Sequence, residues 1–206
     1  MNMNKEFYEL LDNERLIAIV RETSAEKAEK FAAAVLEGGV RLLEISMTTP
    51  EALGVMRKLQ GMYPNALIGA GTVVDMERAV LAAEAGAQFA VMPNLDEEVV
   101  RYLTARGIPV LPGVATVSEI VRARAAGAKA VKLFPASAYG VGFVRAVHSP
   151  LPDCKIIAVG GVNTENALSW LEAGAAGVGI GASLAKDGED ISASARRLKG
   201  LLQRSK

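Results

Sequence analysis

The chain has 206 residues, half of them hydrophobic, and equal numbers of acidic and basic side chains. That composition suits one globular domain over residues 1–206, and the zero net charge with no long basic run argues against nucleic acid or an anionic membrane as partner. A single cysteine, Cys154, leaves no internal disulfide and fits a reducing, cytoplasmic setting. The start of the chain is polar without a signal-like apolar core, and no stretch approaches the roughly 18 apolar residues of a membrane span.

Along the chain, apolar runs alternate with helical patterns. A short polar helix is expected over about 4–12, then a strand at Leu16–Val20 closed by Arg21. Thr23 with Glu26 has the spacing of a capping box, and the helix after it ends at Gly38-Gly39. A second strand, Leu42–Ser46, precedes Thr49-Pro50, which reads as an N-cap followed by proline in the first helical position. Strands are expected at Leu67–Gly71, Gln88–Met92 and Pro109–Leu111, with helices opened by Asp75, by Asn94 with Glu97, and by Thr116 with Glu119. The sixth strand carries Lys132, the seventh is Lys155–Val159 with Asn163 capping the next helix, and the eighth is Gly177–Ile180 before a last helix from about Ile191. Glycines 39, 86, 107, 127 and 174 each stand between a helix and a strand.

Strands that are apolar on both faces and alternate with helices indicate a parallel sheet covered by helices. The length is at the lean end for a single-domain (β/α)8 TIM barrel with a short N-terminal helix. An open doubly wound sheet would want a glycine-rich turn after the first strand, where Arg21-Glu22-Thr23-Ser24 stands instead.

In such a barrel catalytic groups gather where the strands end. Arg21, Glu44, Thr48, Thr72, Asn94, Thr116 and Lys132 occupy those ends. In Val131-Lys132-Leu133-Phe134-Pro135, alternation turns Lys132 and Phe134 inward and Val131 and Leu133 toward the helices. Desolvation of an inward lysine lowers its pKa toward the neutral amine that attacks a ketone. Glu44, inward with Leu42 and Ser46, is placed to pass protons in both directions. A plain ion pair is the bland alternative, although burying such a pair is costly. Gly160-Gly161 and Gly181-Ala182-Ser183 follow the last two strands, where barrels often bind phosphate with backbone N–H groups. The lone histidine, His148, sits in a loop-like stretch before Pro150 and leaves too few ligands for zinc, so no metal and no cofactor is expected.

Taken together and in order, Leu43-Glu44-Ile45-Ser46-Met47-Thr48-Thr49, Gly69-Ala70-Gly71-Thr72-Val73, Pro112-Gly113-Val114-Ala115-Thr116, Lys132-Leu133-Phe134-Pro135, Gly160-Gly161 and Gly181-Ala182-Ser183 resemble one family. It is that of the 2-dehydro-3-deoxy-6-phosphogluconate (KDPG) / 4-hydroxy-2-oxoglutarate (KHG) aldolases, class I enzymes on a small barrel. The resemblance implies Lys132 as the Schiff-base residue and Glu44 as general acid/base. It implies that Arg21, Thr48 and Thr72 bind substrate oxygens, that Pro93 and Phe134 line the pocket, and that Gly160, Gly161, Gly181, Ala182 and Ser183 hold phosphate. Many members carry arginine where this chain has Thr48, and Arg21 is the candidate to replace it.

The implied reaction is cleavage of a 2-keto-3-deoxy sugar acid phosphate, KDPG, to pyruvate and glyceraldehyde 3-phosphate. Cleavage of 4-hydroxy-2-oxoglutarate to pyruvate and glyoxylate goes with it, in a homotrimer. Met92-Pro93-Asn94 and Ala158-Val159-Gly160-Gly161-Val162 are also similar to aldolases for the C4 epimer, 2-dehydro-3-deoxy-6-phosphogalactonate, which stands as the alternative substrate. More remote readings are a phosphate-binding barrel isomerase or synthase without a Schiff base, and a sugar-phosphate binding protein without turnover.

Overall fold

The computed structural model describes residues 3–185 and 188–204. Its strands are β1 (Leu16–Val20), β2 (Leu42–Ser46), β3 (Leu67–Gly71), β4 (Ala90–Val91), β5 (Val110–Leu111), β6 (Gly113–Val114), β7 (Ala130–Leu133), β8 (Lys155–Val159) and β9 (Gly177–Ile180). All pair in parallel, in the order β5-β4-β3-β2-β1-β9-β8-β7-β6. β5 and β6 are two halves of one barrel strand broken at Pro112. Proline has no N–H to give to a ladder, but its carbonyl still accepts from the Lys132 N–H at 2.8 Å. The nine segments therefore make the eight strands of a TIM-type barrel.

Helices α1 (Met3–Glu14), α2 (Ala25–Glu37), α3 (Ala52–Met62), α4 (Met76–Glu84), α5 (Glu97–Ala105), α6 (Val117–Ala125), α7 (Val141–His148), α8 (Ala167–Glu172) and α9 (Ile191–Arg204) accompany the strands. Strand side chains alternate between two apolar layers, as a pleated strand requires. Leu43, Ile45, Ile68, Val131, Leu133 and Ile156 pack outward with helix residues such as Val35, Met56, Leu103 and Val144. Ile17, Leu42, Leu67, Val91, Leu111, Ala130 and Ile157 fill the interior together with Phe7, Leu10 and Leu11 of α1. The N-terminal helix is thus amphipathic, and it closes the barrel at the end where the strands begin. Phe7 meets Phe89 with ring centroids 4.8 Å apart. A Cβ on Gly69 would fall 2.7 Å from the Phe89 ring, so the glycine makes room for that contact.

The five glycines at the helix ends all take positive φ, between 73° at Gly107 and 110° at Gly127. After each, the next residue donates back five positions, as in Ala87 N–H to Ala82 O at 3.0 Å and Ala128 N–H to Ala123 O at 3.1 Å. This Schellman-type closure ends a helix and turns the chain into a strand.

Several caps differ from the sequence expectation. Ser24, not Thr23, caps α2 by accepting from the Lys27 N–H. Thr49-Pro50 does not open α3. That helix follows Glu51 in a left-handed conformation (φ 55°), while the Thr49 hydroxyl accepts from the Glu22 N–H across the barrel rim. Asp96 rather than Asn94 caps α5. Asn163 does cap the turn leading into α8, its Oδ1 accepting from the Glu165 and Asn166 N–H groups, while Asn166 directly precedes the helix without a side-chain cap bond. Several side chains of similar capping power lie within a few residues at each site, and loop geometry chooses among them. Thr116 and Glu119 form the expected capping box on α6.

Phe7→Ala should lower the unfolding free energy by about 3–5 kcal/mol, the cost of a cavity at a fully buried aromatic. Urea unfolding measures it, and a loss below about 1 kcal/mol would mean that α1 does not seal the interior.

Candidate active site

At the end opposite α1, inward side chains reach the ends of the strands and surround a cavity of about 250 Å³. Arg21, Glu44, Lys132 and Phe134 line one part, and Gly160, Gly161, Val162, Gly181, Ala182 and Ser183 line another. Larger hollows lie elsewhere, about 460 Å³ beside Tyr8, Lys129 and Lys155, and about 340 Å³ at the loops leading into β2 and β3. Both sit away from the strand C-termini, so size does not locate the site. Chemistry does.

Lys132 is 4% exposed and Glu44 2% exposed, two of the six buried polar or charged residues among the described residues. Each is inward because of its register: Lys132 stands level with Gly113 and Ile157, and Glu44 with Ile19 and Gly69. Gly71 is what lets Glu44 fit, because a Cβ there would lie 2.7 Å from Glu44 Oε1. Burial pushes the Lys132 amine below its ordinary pKa; the negative charge of Glu44 opposes this and the positive charge of Arg21 adds to it. Burial likewise pushes the Glu44 carboxyl up, against the opposing pull of Lys132 and Arg21. The two shifts converge, so proton exchange between the groups is less costly than between the same groups in water. The Lys132 amine also lies 4.8 Å from the centre of the Phe134 ring.

Three expected site residues are placed differently. Thr48, Thr72 and Pro93 do not line this cavity. Thr48 and Thr72 are linked through Ser46, whose Oγ lies 2.8 Å from each of their hydroxyls, in a chain across the ends of β2 and β3. Thr72 is held there in a left-handed backbone conformation (φ 61°). Pro93 packs against β6, where a Cβ on Gly113 would come within 2.3 Å of the Pro93 backbone. Thr48 and Thr72 thus brace the end of β2, the strand that carries Glu44. His148 is also not in a loop. It is the last residue of α7, half-buried, with Nε2 donating to the Cys154 carbonyl at 2.8 Å.

The glycine loops are built for close approach. Gly160 and Gly161 both take positive φ (92° and 77°), and a Cβ on Gly161 would fall 2.5 Å from Ser137 Cβ. Across the cavity, Ala182–Leu184 forms a short 3-10 turn whose first N–H groups have no acceptor within the turn. The Ser183 hydroxyl donates to the Val162 carbonyl at 2.9 Å, tying the two loops together. Ile19, Val159 and Gly179 complete the lining and were not singled out in the sequence, though their inward parity in β1, β8 and β9 marks them. A Cβ on Gly179 would strike the Val159 side chain at 2.7 Å.

Comparison with known proteins places this arrangement. The model of the "KDPG and KHG aldolase" family matches residues 8–195. The chain belongs to that family. It is 38% identical to the 2-dehydro-3-deoxy-6-phosphogalactonate aldolase of Escherichia coli K12 over 184 residues, 88% of this chain and 90% of the relative. Identity to the KHG/KDPG aldolase of the same organism is 34%, over 76% of this chain and 74% of that one. The KDPG aldolase of Legionella pneumophila, solved with pyruvate captured as a covalent carbinolamine, is 29% identical with a TM-score of 0.79, covering 95% of this chain and 96% of that one. As a member of an aldolase family the protein is a carbon–carbon lyase. No helix among the described residues is long and apolar enough to cross a membrane.

The raised pKa of Glu44 makes a prediction for stability in this aldolase. Folding disfavours the carboxylate, so the benefit of the neutral acid is present below its unfolded pKa and is lost as pH rises through the folded value. Glu44→Gln keeps the neutral shape at every pH. Its melting temperature relative to the parent should therefore increase between pH 4 and pH 8; a difference that stays constant or shrinks would contradict the shift.

Proposed function

We propose that this aldolase cleaves 2-dehydro-3-deoxy-6-phosphogalactonate to pyruvate and glyceraldehyde 3-phosphate through a Schiff base on Lys132. The observation that carries the mechanism is an amine and a carboxyl buried together on the inner face of the barrel, with the glycine loops across the same cavity. The named activity of the E. coli relative, 38% identical, supports the galactonate epimer. The similarity at Pro93-Asn94 and around Gly160-Gly161 supports it as well.

In this mechanism the neutral Lys132 amine adds to the C2 ketone and water leaves, giving an iminium. The Glu44 carboxylate accepts the C4 hydroxyl proton. The C3–C4 bond then breaks, its electron pair becomes the C2–C3 double bond of an enamine, and C4 leaves as the aldehyde carbon of glyceraldehyde 3-phosphate. Protonation of C3 by the Glu44 acid and hydrolysis of the iminium by water return Lys132 and release pyruvate. The iminium is the electron sink, so charge never rests on an isolated carbanion. Glu44 serves first as base and then as acid, which is the use for a carboxyl whose pKa burial has raised.

Arg21, exposed at the end of β1 and lining the cavity, is the cation available to an anionic group of the substrate. The N–H groups of the two glycine loops take the phosphate, which meets backbone dipoles that need no rearrangement on binding.

The two epimers yield the same products, so initial rates of pyruvate release from each compare them directly. The expected result is a kcat/KM for the phosphogalactonate substrate at least about tenfold above that for the phosphogluconate epimer, the worth of one well-made hydrogen bond. A preference for the gluconate epimer would contradict the substrate and leave the Schiff-base chemistry standing.

A further inference from the structure

We infer that Asn166, which does not line the cavity, is a positioning residue that sets the phosphate selectivity of this aldolase by holding the Gly160–Val162 turn in its anion-binding form. The inference rests on the proposal that this turn receives the substrate phosphate.

In a planar trans peptide the carbonyl and the following N–H point in opposite directions, so fixing one aims the other. Three consecutive carbonyls of the turn are fixed by donors outside it. The Gly160 carbonyl accepts from the Ser137 N–H at 3.0 Å, the Gly161 carbonyl from Asn166 Nδ2 at 3.0 Å, and the Val162 carbonyl from the Ser183 hydroxyl at 2.9 Å. The N–H groups of Gly161 and Val162 are thereby turned away from those donors, and neither has an acceptor among the described residues. Two adjacent N–H groups so aimed, in a run with positive φ at Gly160 and Gly161, form a small concave anion receptor.

Ser137 contributes through its backbone, and Ser183 belongs to the opposite loop. Asn166 is the side chain whose work falls on the turn alone. Its amide nitrogen donates to the Gly161 carbonyl while its Oδ1 accepts from the Asn163 N–H at 3.0 Å. Asn163 in turn locks Asn166 in place, its Oδ1 accepting from the Asn166 N–H at 3.0 Å and from the Glu165 N–H at 2.9 Å. The Gly161 carbonyl belongs to the same peptide as the Val162 N–H. Losing the Nδ2 donor frees that peptide to rotate, at a residue whose glycine backbone resists rotation little. The receptor then has to be ordered again each time an anion binds.

The test compares Asn166→Ala and Asn166→Asp with the parent on two substrates, the phosphorylated 2-keto-3-deoxy sugar acid and unphosphorylated 4-hydroxy-2-oxoglutarate. Inhibition by inorganic phosphate is the third reading. Asn166→Asp retains the acceptor for the Asn163 N–H but sets a charged carboxylate oxygen against the Gly161 carbonyl, so it adds repulsion to the lost donor, while Asn166→Ala removes the donor without adding charge. Asn166→Ala should lower the ratio of the two kcat/KM values by about tenfold and weaken phosphate inhibition by a similar factor, the equivalent of one lost hydrogen bond to an anion, and Asn166→Asp should do so by at least as much. The loss with the phosphorylated substrate should appear in KM rather than kcat. A merely structural role lowers the amount of active protein and leaves the ratio where it was, and that result would overturn the inference. A parent enzyme indifferent to phosphate would overturn this inference together with the phosphate placement. A phosphate-sensitive parent with unchanged variants overturns this inference alone.

Discussion

Keeping an amine and a carboxyl inside a hydrocarbon-filled barrel is the constraint on which the rest of this structure depends. Each group alone loses hydration that the interior does not return. Together they lower each other's cost without cancelling it, Arg21 at the mouth easing the Glu44 carboxylate while adding to the cost of a charged Lys132, and the remainder shows as converging pKa shifts at Lys132 and Glu44. The architecture confines this cost to one end. α1 fills the other end with Phe7, Leu10 and Leu11, so the interior below the two polar groups is packed with apolar side chains. Glycine makes the remaining room, with Gly71 admitting the Glu44 side chain and Gly69 admitting Phe89.

The same division of labour holds around the cavity. Side chains with reactive groups come from strand interiors, where register fixes them to a fraction of an ångström. In the proposed function the anion-binding groups come from loops, where the backbone supplies the donors and the side chains must stay out of the way. Hence the positive-φ pair at Gly160-Gly161 and the absence of a Cβ at Gly179 and Gly181 around one cavity. In the proposed reaction, specificity between substrates that share the reacting carbons is then carried by the rim and the loops, while the chemistry is carried by β2 and β7.

Much of this was legible in the sequence because it rests on period and parity. Alternation in Val131-Lys132-Leu133-Phe134 placed Lys132 inside, and the same count placed Glu44 beside Leu42 and Ser46. The five helix-ending glycines announced their positive φ through position alone. What stayed hidden depends on three-dimensional choice among near-equivalent residues. Thr23 and Ser24 both cap helices well, and only the path of the chain after β1 selects Ser24. Thr49-Pro50 has the composition of a helix start, but the Thr49 hydroxyl is taken by the Glu22 N–H. Thr48 and Thr72 sit at strand ends as expected yet bond to Ser46, and Pro93 lies against Gly113 of β6, so none of the three is among the residues lining the cavity. Pro112 breaks a barrel strand without breaking the barrel, because its carbonyl keeps the bond that its nitrogen cannot make. The polar look of residues 4–12 hid a plug, since only one face of a helix has to be apolar to seal a barrel.

The central claim is that the buried Lys132 amine is the group that bonds to the ketone. Reduction with borohydride in the presence of pyruvate, followed by peptide mass mapping of the folded protein, tests it most directly. The account predicts one reduced pyruvoyl adduct per chain, on the peptide that carries Lys132, and none in its absence. An adduct on another lysine, or no adduct on protein shown to be folded, would contradict it.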